Sequence, residues 1–405
     1  MGLLTRQTVS TARAWLAVAP AVIVLGWGGN QFLPLLQLYR QLNGFTQVQV
    51  DLLLAVYVVG IVPGFALSGA WSDRFGRKPV LVAGVLLGIV GSVILASSSS
   101  SLAGLCVGRF VSGLSVAAGM VVGTSWIKEL SVRGGRSSAG ARRASAVLTI
   151  GFGGGAGVGG VLAQWAPLPT LLPYVVQIAA SVVALGALSV ATETRFFEAG
   201  GPGHGGVKSL LGELRIPKAV RGRFIAVILP LAPWVFAAPA LAFAVGPSLV
   251  SAATPGFSVG FATLVTVITL GCGWATQFFS APLIRALRGR AGLVGVCLTG
   301  VGALLLIPAA ESQQVWAVLV AAPVFGAGYG LSMVSGLTTV QEMAAPDELA
   351  GLTAVYYSLT YAGFLLPATL AALTVLTPMS VLLLVTAAGC VLCALIALRG
   401  IRRHR

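Results

Sequence analysis

The chain has 405 residues, of which 57% are hydrophobic and 9% are charged, and its mean hydropathy is +0.96. Soluble domains carry about 25% charged residues, so this composition excludes a soluble enzyme or binding domain and indicates a membrane protein. The formal net charge of +15 would otherwise suit a nucleic-acid-binding protein, so the position of the basic residues has to decide that point.

Long uncharged runs recur along the whole chain, each close to the 20 or so apolar residues that a helix needs to cross about 30 Å of hydrocarbon. Their length and continuity argue against a β-barrel, whose strands are short and alternate in polarity. The sequence therefore predicts an all-α membrane protein with twelve transmembrane helices. These span residues 14–38, 47–70, 79–98, 102–125, 146–166, 171–191, 224–246, 257–280, 292–310, 315–337, 351–376 and 379–398.

The basic residues follow the predicted loops. If the N-terminus is cytoplasmic, all 25 lysines and arginines lie in inner segments except Arg40, which is outside, and Arg109, which is inside a span. This positive-inside pattern predicts a multi-pass protein of the plasma membrane with both termini cytoplasmic. No segment combines clustered basic residues with interleaved aromatics, so we expect the lipid bilayer and no nucleic acid as a partner.

A glycine-rich, basic segment divides the predicted helices six and six. It predicts an N-terminal bundle (1–191), a cytoplasmic linker loop (192–223) and a C-terminal bundle (224–405). The halves show a weak internal repeat that places Gly113 on Gly326. Repeats of this kind are one design of transporters, with the substrate site between the halves near the midplane.

The loop after predicted helix 2 carries the most specific motif, GAWSDRFGRKP at residues 69–79. It resembles the G-x-x-x-D-R-x-G-R-K signature of the major facilitator superfamily (MFS). The resemblance implies the MFS fold of two six-helix bundles, alternating access, and a gating loop that latches the halves in one conformation. The gating residues are Gly69, Asp73, Arg74, Gly76, Arg77 and Lys78.

The residue types in this loop are suited to a tight, charged turn between two helices. Gly69 and Gly76 would permit close backbone approach and a tight turn, and Asp73 is placed to meet positive groups or a helix N-terminus. The alternative is a short loop that is merely well anchored. The second-half counterpart, PLIRALRGR (282–290), has Ala286 where the acid is expected, which puts a matching latch in doubt. VQEMAAPDELAG (340–351) resembles the family's loop between helices 10 and 11.

Predicted helix 4 contains GRFVSG (108–113), similar to the family's helix-4 pattern with an embedded arginine. A charge inside the bilayer costs about 2.5 kcal/mol or more, so we expect Arg109 to face a water-filled cavity or a partner. The resemblance implies a role in proton coupling or in binding substrate charge, and a purely structural hydrogen-bonding role is the alternative.

Predicted helix 5 contains GFGGGAGVGG (151–160). Its G-x-G-x-x-G spacing lacks the preceding strand and following acidic residue of a dinucleotide site. Small residues four apart instead predict close helix packing. Residues Gly151, Gly155, Ala156, Gly159 and Gly160 resemble the helix-5 motif G-x-x-x-G-P-x-x-G-G of the superfamily's antiporters, with alanine in place of proline. The resemblance implies export, whereas a glycine-rich interface in any member of the family is the alternative.

Coupling and substrate are read from a small set of polar residues. Of the ten acidic residues, only Asp51, near the outer end of helix 2, and Glu342, near the inner end of helix 10, lie close enough to a span to be considered. Asp51 is the candidate proton site, and the alternative is that it only caps its helix. The candidate cavity residues are Asn30, Gln31, Trp234, Gln277, Tyr329, Tyr356, Tyr357 and Tyr361. An aromatic cavity with few charges favours hydrophobic or amphipathic organic compounds over sugars.

The sequence therefore predicts a monomeric secondary exporter of small organic molecules, as in multidrug resistance, driven by proton antiport. An MFS importer or uniporter of a small metabolite or sugar is the alternative. The two histidines and five cysteines form no metal-binding pattern, and there is no G-x-x-x-x-G-K-[ST] loop for ATP. We expect neither a metal nor a cofactor, with the proton gradient as the driving force, and we expect no enzymatic activity.

Overall fold

The computed structural model describes residues 13–133, 137–194, 216, 218–287, 290–344 and 349–403. These ranges contain helices and turns without a strand. Eleven helices within them are long and apolar enough to cross a membrane. They are α1 (Ala19–Asn43), α2 (Gln47–Phe75), α3 (Arg77–Ser97), α4 (Leu102–Ser131), α5 (Arg142–Trp165), α6 (Leu172–Ser189), α7 (Ala219–Leu249), α8 (Ser258–Phe278), α9 (Ala291–Ser312), α10 (Val315–Met343) and α12 (Met379–Arg403).

The remaining predicted span forms a segmented helix, which we label α11. Its consecutive pieces are an α-helix (Leu349–Tyr361), a 3₁₀ turn (Ala362–Leu365) and a second α-helix (Leu366–Leu373). Pro367 lies in the first turn of the last piece, where its missing N–H costs no helical hydrogen bond. With α11 counted, the all-α prediction of twelve helices agrees with the structure, although this helix ends before the predicted residue 376.

The chain divides into two compact units. The first contains Met1–Leu35 and Val56–Gly205. Its apolar core joins α1, α3, α4, α5 and α6. Buried members of this core are Val22, Leu25, Leu81, Val85, Trp126, Ile127, Val147, Ala184 and Leu188.

The second unit contains Leu36–Ala55 and Gly206–Arg405. Its largest core draws on α7 to α12, with Leu241, Val265, Leu306, Phe325, Leu370 and Leu383 among the buried residues. The end of α1 and the start of α2, which we call the α1–α2 tip (Leu36–Ala55), belong to this unit and not to the predicted N-terminal bundle. Most of the predicted linker 192–223 lies outside the described residues, so its role stays a prediction.

The weak internal repeat corresponds to a shared packing arrangement within each unit. In the first, a Cβ on Gly113 of α4 would lie 2.9 Å from the backbone nitrogen of Ile61 on α2. In the second, a Cβ on Gly326 of α10 would lie 3.1 Å from the backbone nitrogen of Gly273 on α8. Glycine therefore lets helices 2 and 4 of each half approach backbone to backbone.

Candidate functional site

The turn between α2 and α3 depends on one glycine. Gly76 has φ +95°, a conformation that side chains of L-residues rarely adopt, and it separates Phe75 from Arg77 without further loop residues. Gly69 behaves differently, because the nearest atom to a Cβ at that position would be Val121 Cγ1 at 3.9 Å, an ordinary contact. The expected close approach at Gly69 is therefore wrong, whereas the tight turn at Gly76 is present.

Arg77 is the centre of this loop. Its Nη2 lies 2.8 Å from Glu129 Oε1 on α4, and its Nη1 donates to Ser72 Oγ at 2.6 Å. The Nη1 distance to Asp73 Oδ1 is 3.5 Å, and the Asp73 side chain is 59% exposed against 34% for Glu129. Glu129 is therefore the main carboxylate partner of Arg77, and Asp73 is a weaker one.

Glu193 caps the start of α3. Its carboxylate accepts the backbone N–H of Arg77 at 3.1 Å and of Lys78 at 2.8 Å, while Gly76 supplies no side-chain cap. Lys78 Nζ donates in return to the carbonyls of Ser189 and Ala191 at the end of α6. The first N–H groups of a helix lack helical partners, and a carboxylate there also meets the positive end of the helix dipole.

These contacts form one connected arrangement. Thr194 Oγ1 donates to Glu129 Oε2, and Thr194 N donates to Glu193 Oε1 at 2.9 Å. We refer to it as the α2–α3 charge network, and it consists of Asp73, Arg77, Lys78, Glu129, Glu193 and Thr194. The last three are not predicted from the sequence, although an acidic residue at the end of helix 4, in a chain with a basic loop after helix 2, is a signal that could identify Glu129.

Other loop predictions are outside this network. Arg74 is exposed, with its guanidinium 5.2 Å from the ring centroid of Phe75. In the second half, Ala286 ends a short helix (Ser280–Ala286), and residues 288–289 of the counterpart loop lie outside the described residues. Residues 345–348 of the loop between α10 and α11 also lie outside them.

Arg109 is enclosed by protein. It is 0% exposed, its guanidinium carbon lies 4.5 Å from the ring centroid of Phe32 and 4.1 Å from that of Tyr57, and its Nη1 donates to Gly29 O at 3.2 Å. Two aromatic faces and a carbonyl stabilise a buried guanidinium in the absence of water. In this conformation Arg109 therefore has protein partners, as one branch of the expectation has it, and no exposure to a cavity; it ties α4 to α1 and α2, and its role in coupling or substrate binding stays a prediction.

A second polar group holds α1 from another side. Gln177 of α6 donates from Nε2 to Val24 O on α1 at 3.3 Å, and its Oε1 accepts from Ser92 Oγ on α3 at 2.7 Å. Sequence reasoning missed Gln177, since a lone glutamine in an apolar span has no distinctive pattern. Buried side-chain hydrogen bonds of this kind join helices where no water competes.

Two predicted cavity residues lie on the same helix. Gln31 is fully buried and accepts from Trp27 Nε1 at 3.0 Å, while its Nε2 has no hydrogen-bond partner among the described residues. Asn30 is partly exposed. The break of α1 at Gln31 therefore lies beside the part of α1 that Arg109 contacts through Gly29 and Phe32.

The glycines of α5 face α1. A Cβ would lie 2.5 Å from Ile23 O at Gly151, 2.5 Å from Trp27 O at Gly155 and 2.8 Å from Gln31 Cβ at Gly159. Ala156 and Gly160 are buried, and α5 runs through Ala156 without a break. By contrast, nothing lies within 4 Å of a Cβ at Gly153 or Gly154. The four-residue spacing therefore marks a real packing seam, and its antiporter role stays a prediction.

Asp51 is buried on α2 within the α1–α2 tip. It is 1% exposed, its Oδ1 accepts from Gln47 Nε2 at 3.0 Å, and its Oδ2 has no partner among the described residues. The capping alternative is wrong, because Thr46 and Gln49 cap α2 reciprocally through Thr46 Oγ1 and Gln49 Oε1. Glu342, the other acid considered, is exposed.

The second unit brings several predicted aromatics together. Phe236 of α7 stacks on Tyr361 at 4.3 Å between ring centroids and lies 5.7 Å from Tyr329, which is hydrogen-bonded to Gln277. Phe364 stacks on Phe236 at 5.2 Å. This aromatic cluster joins α7, α8, α10 and α11, so Tyr329, Tyr361 and Gln277 lie together, and their role as cavity residues stays a prediction.

The other three predicted residues of this unit pack elsewhere. Trp234 faces α12, with its ring 3.6 Å from a Cβ built on Gly389. Tyr356 donates to Met333 O at 3.4 Å and lies 5.8 Å from Tyr357 between centroids. Tyr356 borders a cavity of about 20 Å³ with Ser332, Ser335 and Thr339 on α10, which is room for about one water and not for a substrate.

Comparison with known proteins places the chain among transporters. The sequence model of the Major Facilitator Superfamily matches residues 16–255. A chloramphenicol resistance protein of Pseudomonas aeruginosa is 36% identical over 92 residues, which is 23% of this chain and 22% of that protein. A proton myo-inositol cotransporter of Caenorhabditis elegans is 34% identical over 120 residues, 27% of this chain and 18% of that protein. Each match thus covers less than a third of either protein.

The fold has known counterparts over nearly its full length. A crystal structure of a POT family transporter in complex with a thioalcohol-conjugated peptide has a TM-score of 0.76 at 12% identity. The alignment covers 97% of this chain and 96% of that one. At this identity, the likeness concerns the fold alone.

Proposed function

The chain belongs to the Major Facilitator Superfamily and is a transporter rather than an enzyme, and we propose that it exports hydrophobic or amphipathic small organic molecules in exchange for protons. The glycine seam of α5 is the observation that supports export as the direction of transport. Its glycines occupy the positions of the antiporter motif and bring α5 against α1 with no room for a Cβ at Gly151 or Gly155. The partial similarity to a chloramphenicol resistance protein also supports export.

Asp51 is the proposed proton carrier. A carboxylate buried without a counter-ion is costly, and the carboxyl group avoids that cost by binding a proton. Asp51 has a hydrogen bond from Gln47 and no ion pair within the described part of the chain. Arg109 is the second group on which coupling would depend, since its charge is held at the break of α1.

The aromatic cluster supports the substrate class. Rings of Phe236, Tyr329 and Tyr361 with the amide of Gln277 offer a large apolar surface and few hydrogen-bonding groups. Such a surface suits an amphipathic molecule, whereas a sugar needs many directed hydrogen bonds. Binding on this cluster would require the rings to part, because Tyr361 is buried in the present conformation.

The α2–α3 charge network is the proposed latch. Arg77, Glu129 and Glu193 join α2, α3, α4 and the segment after α6 through charge-assisted hydrogen bonds. A network of this kind has two discrete states, formed or broken, and can therefore bias a transport cycle between conformations. Asp73, the most exposed carboxylate of this network, would be the member that changes partners.

The proposed setting follows from the same features. We place the protein in the plasma membrane as a monomer, with both termini cytoplasmic and the lipid bilayer as its surroundings. Its cargo is a small molecule, its driving force is the proton gradient, and neither a cofactor nor a nucleic acid takes part.

The second candidate function is import of a small metabolite or sugar, or uniport. The similarity to a proton myo-inositol cotransporter favours it specifically. An importer would share the fold, the charge network and the buried Asp51, so direction of flux is the property that separates the two.

The test is transport in everted membrane vesicles that contain the protein, with an imposed pH gradient, acid inside. We expect accumulation of lipophilic cations or phenicol-type compounds with the gradient and none without it. Radiolabelled inositol and pentoses serve as the importer panel. Accumulation only in right-side-out vesicles would contradict export, and accumulation independent of the gradient would contradict proton exchange.

A further inference from the structure

One face of α12 changes along its length from apolar to charged. The opposite face is buried, with Ala394, Ala397 and Gly400 packed inside the second unit. The exposed face is apolar for about three turns and then ends in arginines. Its members are Leu384, Val385, Val391, Leu392, Leu395, Ile396, Arg399, Arg402 and Arg403.

Two other helix ends lie beside these arginines. A Cβ on Gly400 of α12 would lie 2.7 Å from Ala226 O, near the start of α7. Leu293, in the first turn of α9, packs with Ala394 and Ala397 of α12. The starts of α7 and α9 and the end of α12 therefore meet at one side of the second unit.

The three helix ends are strongly and uniformly basic. Residues 218–250, 290–310 and 379–403 contain no aspartate or glutamate. They contain six exposed arginines, which we call the arginine cluster: Arg221, Arg223, Arg290, Arg399, Arg402 and Arg403. Within the described part of the chain, neither these arginines nor Glu342, the exposed acid at the end of α10, forms an ion pair. The cluster therefore has positive charge without a carboxylate partner in the described structure.

This combination of surfaces matches the chemistry of a phospholipid. An exposed apolar face of a transmembrane helix contacts acyl chains, and arginines at the helix end lie at the level of the headgroups. The expected orientation puts these ends at the cytoplasmic leaflet, where basic pockets between helices bind anionic headgroups. A guanidinium binds a phosphate through two parallel hydrogen bonds. Arginines from three helices that meet can bind one headgroup together, whereas separate loop arginines would only fix the topology.

We propose that the ends of α7, α9 and α12 form a binding site for one anionic phospholipid. The arginine cluster binds its phosphate, and its acyl chains lie along the exposed apolar face of α12. The bound headgroup holds together three helix ends whose positive charges otherwise repel one another. The site is independent of the cargo, the direction of transport and its coupling.

Native mass spectrometry of the full-length protein in detergent tests the site. Phosphatidylglycerol and phosphatidylcholine with the same acyl chains are added in turn, and the dissociation constant of the first bound lipid is measured. We expect phosphatidylglycerol to bind about tenfold more tightly or more, since each arginine near an anionic headgroup contributes about fivefold. Arg223→Gln/Arg402→Gln should therefore weaken phosphatidylglycerol binding by about tenfold or more and leave phosphatidylcholine binding unchanged.

The first unit offers a matched control. Arg13→Gln/Arg142→Gln also removes two exposed arginines from the predicted cytoplasmic side and should bind phosphatidylglycerol within about twofold of the unmodified protein. Unfolding midpoints before lipid addition check that all the proteins are folded. Equal weakening in both variants would mean that overall charge and not this site binds the lipid, and equal affinity for the two lipids would mean that the headgroup charge is not recognised. Either result contradicts the proposal.

A second measurement locates the acyl chains. Phosphatidylglycerol with a photoreactive diazirine in one chain is added in equimolar amount and cross-linked, and the labelled peptides are identified by mass spectrometry. Labelling should concentrate on residues 384–396 of α12 and fall about tenfold in Arg223→Gln/Arg402→Gln but not in the control. Labelling that is equally strong on the exposed face of α6, at Val182 and Val183, would contradict the assigned place of the chains.

Discussion

Glu193 caps the helix in which Lys78 is the second residue, although 115 positions separate them: the carboxylate accepts the Lys78 N–H at 2.8 Å. Lys78 in turn donates to two carbonyls at the end of α6. The start of α3 is therefore fixed by the segment after α6. The basic residues of this loop have carboxylate and carbonyl partners in the folded protein.

Removing this cap should loosen α3. Glu193→Ala should lower the free energy of unfolding by about 1 kcal/mol, the typical value for a lost helix cap, and Glu193→Gln by less because an acceptor remains. Hydrogen exchange of the amides of Arg77 and Lys78 in detergent or nanodiscs measures the effect. Glu311→Gln is the control, and equal exchange in Glu193→Ala and the control would contradict the cap.

Arg77 should be coupled more strongly to Glu129 than to Asp73. A double-mutant cycle with Arg77→Gln and Glu129→Gln should give a coupling energy of roughly 0.5–1 kcal/mol, whereas the cycle with Asp73→Asn should give a value near zero, since solvent screens the exposed carboxylate. Thermal unfolding in detergent provides the energies. A larger coupling for Asp73 would show that the latch is centred on the wrong carboxylate.

The α5 seam contains its own matched control. Gly155→Ala places a methyl group 2.5 Å from Trp27 O, so it should destabilise the protein by about 1–3 kcal/mol through overpacking. Gly154→Ala adds the same group where nothing lies within 4 Å and should be neutral or stabilising, because alanine favours helix. Unfolding midpoints of the two variants decide the matter; equal values would mean that the seam does not constrain α5.

Proton coupling should depend on Asp51 or Arg109. Asp51→Asn keeps the hydrogen-bonding shape but cannot exchange a proton, so flux driven by a pH gradient should be lost while substrate binding persists. Arg109→Gln removes a charge that contacts Phe32 and Tyr57 and should lower flux and stability together. Gradient-driven flux in vesicles and ligand-induced thermal shifts measure the two effects. Unchanged flux in both variants would rule out these coupling sites.

The sequence predicts much of the fold because its signals are local. Apolar length locates the helices, the positive φ of the turn at Gly76 requires glycine, and the four-residue spacing of Gly151, Gly155 and Gly159 identifies a packing face. Each of these depends on residues close together in the chain, which is why helix positions and the seam agree with the structure.

The partners of charged groups are less accessible to sequence reasoning. Glu193 accepts from Arg77, and Gln177 donates to Val24, although the members of each pair are far apart in the chain. Neither the spacing nor the composition of the sequence predicts these contacts. The burial of Arg109 between two rings likewise depends on how α1 and α2 pack. The capping role considered for Asp51 is a different case. The sequence contains a T-x-x-Q capping box at Thr46, so it already indicates that another residue caps α2.

The segmented form of α11 affects whether the number of membrane crossings is odd or even. The eleven long helices of the described residues alone would be an odd number of crossings, and a tag at each end would then report from opposite sides of the membrane. If α11 crosses the membrane through its 3₁₀ turn, the number of crossings is even, and we expect the arginine-rich end of α12 on the same side as the N-terminus. A sidedness assay with terminal tags tests this expectation, and tags on opposite sides would mean that α11 does not cross the membrane.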